Sequence, residues 1–172
     1  MPRYDRFSIL LHWLMAALLL AQIALGWWMQ DIPKDTTGTR AWWFNAHKSI
    51  GMALGLLALV RTAWAARRAR VAPVLMGAVH QAIAQASHGL LYGLMLLLPL
   101  SGFLGSVFSG YPVRFFGLRL PALAQRWDAA KGLFADVHYV ASWGLMVLVA
   151  LHVLAALYHQ AILRDGLLQR MR

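Results

Sequence analysis

Four histidines lie inside long apolar stretches of this chain: His12, His47, His138 and His152. An ionisable side chain is costly in such surroundings, so each of these residues is a candidate for a functional role. Imidazole is also the most common metal ligand among side chains. When two imidazoles bind one haem iron, they fill both axial positions and leave none for oxygen chemistry, which suits electron transfer. The four residues therefore predict haem-based electron transfer.

The spacing within the last apolar segment predicts two haem sites rather than one. His138 and His152 are fourteen residues apart. On an α-helix this interval is close to four whole turns and about 21 Å of rise, so both rings leave the helix on nearly the same side. If each ring has a partner at its own depth on another helix, two haems lie one above the other.

The composition indicates a membrane protein. Of the 172 residues, 60% are hydrophobic and only 13% are charged, which is too apolar for an ordinary soluble domain. The net charge of +10 lies mostly in short stretches beside apolar runs, which membrane topology explains better than nucleic-acid binding. Because the chain has no cysteine, covalent haem attachment is excluded and the haems should be of the b type.

Four stretches are long enough to cross a bilayer, which takes about 20 apolar residues. Strands with open edges cannot cross lipid, so helices are the expected form. We therefore predict an all-α integral membrane protein, a four-helix bundle in one domain over 1–172. The N-terminal stretch resembles a signal peptide but lacks a clear cleavage site, so it is expected to remain as an anchor helix. The predicted helices cover 7–29, 46–66, 84–108 and 134–163.

The distribution of charge predicts the orientation. The N-terminus, the second link and the C-terminus together carry nine of the sixteen Lys and Arg residues, so both termini are expected in the cytoplasm. Two tryptophan pairs, Trp27 with Trp28 and Trp42 with Trp43, mark the opposite boundary, where an aromatic belt belongs.

Depth then decides which histidines share a haem. His12 lies near the inner end of the first helix, and His152 lies late in the fourth helix at a similar depth. His47 and His138 both lie near the outer boundary. The pairing of His12 with His152 and of His47 with His138 is the only one that matches depths, and it uses all four residues.

A set of motifs spread over nearly the whole chain resembles the bacterial cytochrome b561 family, and in particular its small superoxide oxidase type. The motifs are Tyr4 to Trp13 (YDRFSILLHW), His47 to Gly51 (HKSIG), Leu59-Val60-Arg61, Ser87-His88-Gly89 with Pro99 and Gly102, and His138 with His152. The resemblance implies four helices and two haems b, held by the matching histidines in the same pairs. It also implies a bacterial inner membrane location, and transfer of electrons from superoxide at a basic outer pit to ubiquinone.

Cations near the outer boundary are candidates for attracting superoxide. Lys48 follows a predicted outer ligand, and Arg114 and Arg119 lie in the third link; we predict that these three residues are catalytic. A cationic funnel raises the capture rate of an anion. The alternative is that these cations bind lipid headgroups. The wider set of candidates also includes Arg40, Arg126 and Lys131.

Five further residues are candidate cofactor contacts near the inner side. Ser8, Arg6 and His159 are predicted to form a ubiquinone pocket, although His159 would also suit a purely interfacial position. Arg61 is fourteen residues after His47 and is predicted to pair with a propionate of the inner haem, although positive-inside anchoring also explains it. His88 is predicted to contact the quinone or a propionate.

Two alternative functions remain open at the level of sequence. The chain could be the cytochrome b subunit of a larger enzyme, which relays electrons between a partner dehydrogenase and the quinone pool. It could also be a helical membrane protein without haem. An open basic pit at the outer end favours superoxide as the donor, whereas a flat apolar patch there favours a redox protein partner. The absence of haem would leave only the membrane protein without haem.

Overall fold

A computed structural model describes residues 3–34, 36–68 and 77–171 of the chain. Within this range four helices are long and apolar enough to cross a membrane, which confirms the predicted fold class. The link between the second and third helices carries Arg70 and Pro73, which predict a basic turn followed by a helix restart; both residues lie outside the described residues. The helices are α1 (Arg6–Trp28), α2 (Thr39–Arg67), α3 (Ala78–Val107) and α4 (Asp128–Tyr158).

Three helices begin six or seven residues earlier than the sequence predicted. α2 begins at Thr39 rather than 46, α3 at Ala78 rather than 84, and α4 at Asp128 rather than 134. Hydropathy marks the part of a helix that lies in hydrocarbon. Backbone hydrogen bonding continues beyond that part into the interface, where polar residues are tolerated. The predicted bounds therefore described the apolar part of each helix and not its whole length.

The start of α1 is fixed by a side-chain cap. The carboxylate of Asp5 accepts hydrogen bonds from the Ser8 hydroxyl at 2.7 Å and from the Ser8 backbone N–H at 2.9 Å. It also accepts one from the indole N–H of Trp64 in α2 at 3.1 Å. These hydrogen bonds, led by that of the Ser8 hydroxyl, lower the pKa of Asp5 to about 2. The first turn of α1 is thereby joined to the last turns of α2.

The apolar core lies between α1, α2 and α3. Met15 from α1 packs with Leu54 and Ala58 from α2, and side chains of α3 close the cluster. α2 and α3 approach most closely where Gly55 faces Pro99: a Cβ on Gly55 would lie 2.8 Å from the Cβ of Pro99. This packing therefore requires a glycine at position 55.

Large apolar side chains are exposed on the outside of all four helices, as a lipid environment requires. Examples are Leu10, Leu56, Leu90 and Val140. A soluble protein rarely exposes so continuous an apolar surface.

α4 packs closely on only one of the other helices. Extensive backbone contact joins α1 to α2, α2 to α3 and α3 to α4, whereas α4 makes no comparable contact with α1 or α2 among the described residues. At one end of the bundle Trp27 bridges this space, with its ring 5.2 Å from that of Trp143 and its indole N–H 3.3 Å from the sulfur of Met146. The four histidines singled out from the sequence face this wider space.

The link between α3 and α4 contains a small hairpin that the sequence did not predict. Strand β1 (Arg114–Phe115) pairs antiparallel with β2 (Leu118–Arg119), with Arg114 opposite Arg119. Both turn residues have positive φ, 47° at Phe116 and 91° at Gly117. This is the backbone of a two-residue hairpin turn whose twist matches that of the strands, and Gly117 adopts it without strain.

Both chain termini lie at the same end of the bundle. After α4 the chain forms a π-helical turn, His159–Leu163, and a short 3-10 helix, Leu167–Met171. The carbonyl of Arg170 accepts a hydrogen bond from the backbone N–H of Tyr4 at 3.1 Å, and that of Met171 accepts one from the Trp13 indole at 2.8 Å. The C-terminal segment is thus fastened to the beginning of α1.

Replacing Gly55 with alanine should destabilise the bundle. The new methyl group would overlap Pro99, whose ring cannot turn away, so α2 and α3 must separate. Overpacking of this kind costs about 1–3 kcal/mol. We expect a lower thermal unfolding midpoint for Gly55→Ala in detergent or lipid.

The matched control is Gly93→Ala in α3, because a Cβ at position 93 meets nothing within 4 Å. This variant should unfold at the wild-type temperature or slightly above it, since alanine is the better helix former. Equal midpoints for Gly55→Ala and the wild type would show that the α2–α3 approach is not tight.

Candidate functional site

The end of the bundle that carries both termini holds one pair of histidines. His12 in α1 and His152 in α4 face each other with ring centroids 6.3 Å apart and ring planes at 69°. The ring of His88 from α3 lies 5.6 Å from that of His152, and a guanidinium nitrogen of Arg61 from α2 lies 3.4 Å from Nδ1 of His12. We call these four residues the lower level.

The second pair lies toward the opposite end. His47 in α2 and His138 in α4 have ring centroids 6.4 Å apart and ring planes at 77°. Two glycines make room for the rings: a Cβ on Gly26 of α1 would lie 3.1 Å from the His47 ring, and one on Gly102 of α3 would lie 3.1 Å from the His138 ring. We call these four residues the upper level.

One interval relates the two levels on every helix. Each helix contributes one residue to each level, and the two residues are always fourteen positions apart, close to four helical turns. The sequence revealed this interval for α4 and α2, but the partners in α1 and α3 were missed. Counting fourteen residues onward from His12 and from His88 would have identified Gly26 and Gly102. The pairs are His12 with Gly26, Arg61 with His47, His88 with Gly102, and His152 with His138.

The distance within each histidine pair matches two ligands of one metal ion. Nitrogen ligands bind transition metals at about 2 Å, so two imidazoles on opposite sides of an ion have centroids about 6 Å apart. Neither pair is joined by a hydrogen bond between its own rings within the described part of the chain. No group of three or more His, Cys or Asp side chains that could enclose a metal is found in that part either. Two opposed imidazoles without further protein ligands fit a metal whose other ligands come from a macrocycle.

His138 is held in the form that can bind a metal. Its Nδ1 lies 3.0 Å from the carbonyl oxygen of Leu98 and 3.2 Å from the hydroxyl of Ser101, a side chain only 1% exposed. Because a carbonyl only accepts, the proton of the neutral ring belongs on Nδ1, and Nε2 keeps its lone pair free. Such contacts orient metal-binding histidines in known sites.

Arg61 lies where the sequence predicted it, at the depth of the His12 and His152 pair. It donates to the carbonyl of Ser8 at 3.3 Å and stacks over the ring of Tyr92 at 5.9 Å. Since guanidinium has only donors, it also offers a charge-assisted contact to any anionic group that enters this level. The contact with a haem propionate stays a prediction, and so does the role of His88.

The hairpin brings the three predicted catalytic cations to the upper end. The hydroxyl of Ser49 accepts from the N–H of Phe116 at 2.9 Å and lies 3.3 Å from the carbonyl oxygen of Arg114. Ser49 directly follows Lys48, so the hairpin is fastened beside that residue. Arg114 and Arg119 are exposed and stand opposite each other in the hairpin, while Lys48 is half-buried. No acidic side chain pairs with any of the three within the described residues.

Two members of the wider predicted funnel have other partners. Arg40 donates to the carbonyls of Met29, Gln30 and Ile32 and so closes the end of α1. Arg126 forms an ion pair with Asp128 at 3.0 Å. Each guanidinium is thus engaged by nearby acceptors, and the role of both residues in attracting an anion stays a prediction. Lys131 is exposed on the first turns of α4.

Two of the three residues of the predicted quinone pocket, Ser8 and His159, have other contacts in the structure, and the pocket stays a prediction. The hydroxyl of Ser8 donates to Asp5, Arg6 is exposed at the start of α1, and His159 instead pairs with Asp165 at 2.5 Å. No hydrogen bond or ring contact joins Ser8, Arg6 and His159 in the part of the chain that is described. The sequence missed Asp165 because the π-helical turn and the αL residue Arg164 turn the chain back toward His159.

A polar cleft of about 330 Å³ lies beside this ion pair, lined by Arg3, Arg164, Asp165 and Arg170 among others. Burial raises the pKa of Asp165, but the hydrogen bonds from His159 and from the backbone N–H of Leu167 lower it by more in total. Asp165 therefore stays ionised and orients the His159 ring at the edge of the cleft.

A family model described as prokaryotic cytochrome b561 matches residues 3–172. The chain belongs to the prokaryotic cytochrome b561 family. It is therefore a membrane electron-transfer protein of bacterial type with several membrane-crossing helices, and membership of the family implies that it binds haem b. The opposed imidazoles, the glycines beside them and the orientation of His138 fit this cofactor.

Three relatives match nearly the whole chain. Cytochrome b561 homolog 2 of Escherichia coli (strain K12) is 30% identical over 98% of this chain and 90% of its own length. Cytochrome b562 of Cereibacter sphaeroides is 29% identical over 99% of this chain and 95% of its own. Probable superoxide oxidase CybB of Yersinia pestis is 27% identical over 98% of this chain and 95% of its own.

Substitution of Gly102 should disturb haem binding in this cytochrome b561. The methyl group of Gly102→Ala would lie 3.1 to 3.2 Å from the His138 ring and push it out of position. Displacing a metal-binding histidine in this way lowers affinity about tenfold or more. We expect a lower haem-to-protein ratio and an altered reduced-minus-oxidised visible spectrum.

Gly105→Ala, in the next turn of α3, is the control. A Cβ there would meet Phe134 at an ordinary 3.7 Å. An unchanged spectrum in Gly102→Ala would mean that the ring of His138 does not need this space.

Proposed function

We propose that the chain binds two haems b, one at each level, and carries electrons between them across the bilayer. His12 and His152 would bind the lower iron, and His47 and His138 the upper iron. The single observation that carries the proposal is the pair of near-equal centroid distances, 6.3 and 6.4 Å, at two depths of one bundle. The wider space between α4 and the helices α1 and α2 provides the room.

When bound, each haem would supply a one-electron carrier, held at its level by two histidines. The protein contributes the rest. Its apolar helices keep water away, its histidines set the orientation, and Arg61 offers positive charge to the acidic edge of the lower cofactor. We propose that residues 1–172 form one membrane domain, with both termini and the lower level on the cytoplasmic side.

We propose superoxide as the electron donor at the upper end. Lys48, Arg114 and Arg119 have no acidic partner among the described residues, so their field attracts a small anion. Each superoxide anion gives up one electron and leaves as dioxygen. The name of the Yersinia pestis relative supports this donor, whereas the other two relatives are named only as cytochromes.

We propose ubiquinone as the acceptor at the lower end. Two electrons from two superoxide anions, together with two protons from the cytoplasm, convert one quinone to one quinol. Asp165 lines the polar cleft and holds Nδ1 of His159, so this ring can pass a proton while the carboxylate stabilises the charged form. Arg6 and Ser8 are kept as candidate contacts for the headgroup at the start of α1.

Single histidine variants test the haem pairing. His47→Ala and His138→Ala should lose the same haem, and His12→Ala and His152→Ala the other. In each case the haem-to-protein ratio should fall by about half, because one of the two irons loses an axial bond. The visible spectrum should show which of the two b-type absorption bands remains.

His88→Ala is the control for this set. It lies 5.6 Å from His152 but is not a proposed ligand, so both haems should remain. Loss of the same haem in His12→Ala and His138→Ala would refute the pairing. A purified protein without haem would refute the whole proposal.

Removing the upper cations tests the superoxide reaction. In the variant with Lys48→Gln, Arg114→Gln and Arg119→Gln, the rate constant for haem reduction by superoxide should fall about tenfold or more, and its dependence on salt should weaken. Reduction by dithionite and the haem content should stay as in the wild type. Stopped-flow absorbance with enzymatically generated superoxide measures the rate.

Arg67→Gln provides the matched control, since Arg67 is on the same helix as Lys48 but at the opposite end. It should react with superoxide at the wild-type rate. Wild-type protein whose haems do not respond to superoxide would exclude this donor and favour an electron-transfer subunit that receives electrons from a dehydrogenase.

A further inference from the structure

Two buried side-chain atoms lack a hydrogen-bond partner within the described residues: Oε1 of Gln22 and Nδ1 of His47. Gln22 is 8% exposed and lies in the apolar middle of α1, where an unsatisfied polar group costs free energy. Such a group needs an explanation in a well-packed structure.

The two unpaired atoms lie in one place. The carboxamide nitrogen of Gln22 donates to the backbone carbonyl of His47 at 2.6 Å, so this side chain is already held against the helical turn that carries the histidine. Gln22 is also one turn before Gly26, and a Cβ on Gly26 would lie 3.6 Å from Nδ1 of His47. The His47 ring therefore rests on the turn of α1 that Gln22 begins.

His138, the other histidine of the upper level, has a hydrogen-bond acceptor at the position that corresponds to Gln22. The ring of His138 rests on Gly102, and its Nδ1 contacts the carbonyl of Leu98, four residues before that glycine. Gln22 stands in the same position relative to Gly26, four residues before it. The two rings of one pair are thus each placed over a glycine with an acceptor one turn earlier.

We propose that Gln22 positions His47: its carboxamide oxygen accepts a hydrogen bond from the Nδ1–H of His47 when Nε2 of that ring binds the upper haem iron. This inference rests on the proposed haem ligation. Closing this contact requires the carboxamide to turn, and the terminal torsion of glutamine has broad preferences that permit it. The turn exchanges the hydrogen bond from the Gln22 carboxamide nitrogen to the His47 carbonyl for one that pairs both unpaired atoms, and it fixes the tautomer that leaves Nε2 of His47 free.

The same hydrogen bond sets a redox property. A donor–acceptor contact at Nδ1 makes the ring a stronger base toward iron, which favours the oxidised state and lowers the midpoint potential. Removing the acceptor oxygen should therefore raise the potential of the upper haem and leave the lower haem unchanged. A role for Gln22 in packing alone would not change one potential selectively.

The test is Gln22→Leu, which removes the oxygen but keeps the bulk of the side chain. The potential of each haem is measured by spectropotentiometry of the purified protein, and the upper haem is identified by comparison with His152→Ala. Loss of the acceptor should weaken binding of oxidised haem about tenfold relative to reduced haem. This corresponds to an upward shift of about 59 mV.

Two further variants decide the remaining outcomes. Gln30→Leu, beyond the end of α1, should leave both potentials unchanged, because the Gln30 side chain is exposed and its one hydrogen bond among the described residues is to the carbonyl of Gly26. Gln22→Glu keeps an acceptor oxygen, so it should retain the upper haem, at the wild-type potential or below. If Gln22→Leu loses that haem, its retention in Gln22→Glu supports the proposal, and its loss in both overturns it.

An unchanged upper potential in Gln22→Leu, with two haems present, would overturn the role of Gln22 and leave the ligation proposal intact. Absence of haem from the wild-type protein would instead overturn the ligation proposal. The two failures are therefore distinguishable in one set of measurements.

Discussion

The structure depends on the near-equality of fourteen residues and four helical turns. Because of it, each helix presents two residues to the same side at two depths, about 21 Å apart along its axis. Four helices placed side by side then form two levels of four residues. α4 can meet this requirement with a histidine at both depths, His138 and His152, only because it stands away from α1 and α2. The wider space and the repeated interval are therefore parts of one arrangement.

The two levels use the same geometry with different chemistry. The upper level offers space through Gly26 and Gly102, and Nδ1 of His138 contacts an uncharged acceptor, the carbonyl of Leu98. The lower level instead surrounds its histidine pair with a guanidinium and a third imidazole. Positive charge near a cofactor stabilises its reduced form, whereas stronger ligand bases stabilise the oxidised form. With the proposed haems at both levels, this difference favours reduction of the lower haem and electron flow toward the lower end.

Sequence patterns predicted the helices and the depth of the four histidines, since apolar length and helical spacing are local properties. They also predicted the tryptophan cluster, in which the rings of Trp28 and Trp43 lie 4.8 Å apart. Sequence patterns failed where the role of a residue depends on its contact with another segment of the chain. The roles of Gly26 and Gln22 are defined by the ring of His47 on another helix, and periodicity within α1 does not show which residue faces it. Asp165, the partner of His159, was missed for the same reason, because the π-helical turn after α4 brings this carboxylate back toward the His159 ring.

Ser49 links the cationic hairpin to the helix that carries His47, two residues earlier. One hydroxyl thus fixes where the cations of the hairpin stand relative to the proposed ligand of the upper haem. Under the proposed function it also sets the tunnelling distance from the entry surface to that ligand, so the first electron transfer depends on a single side chain outside both haem pockets.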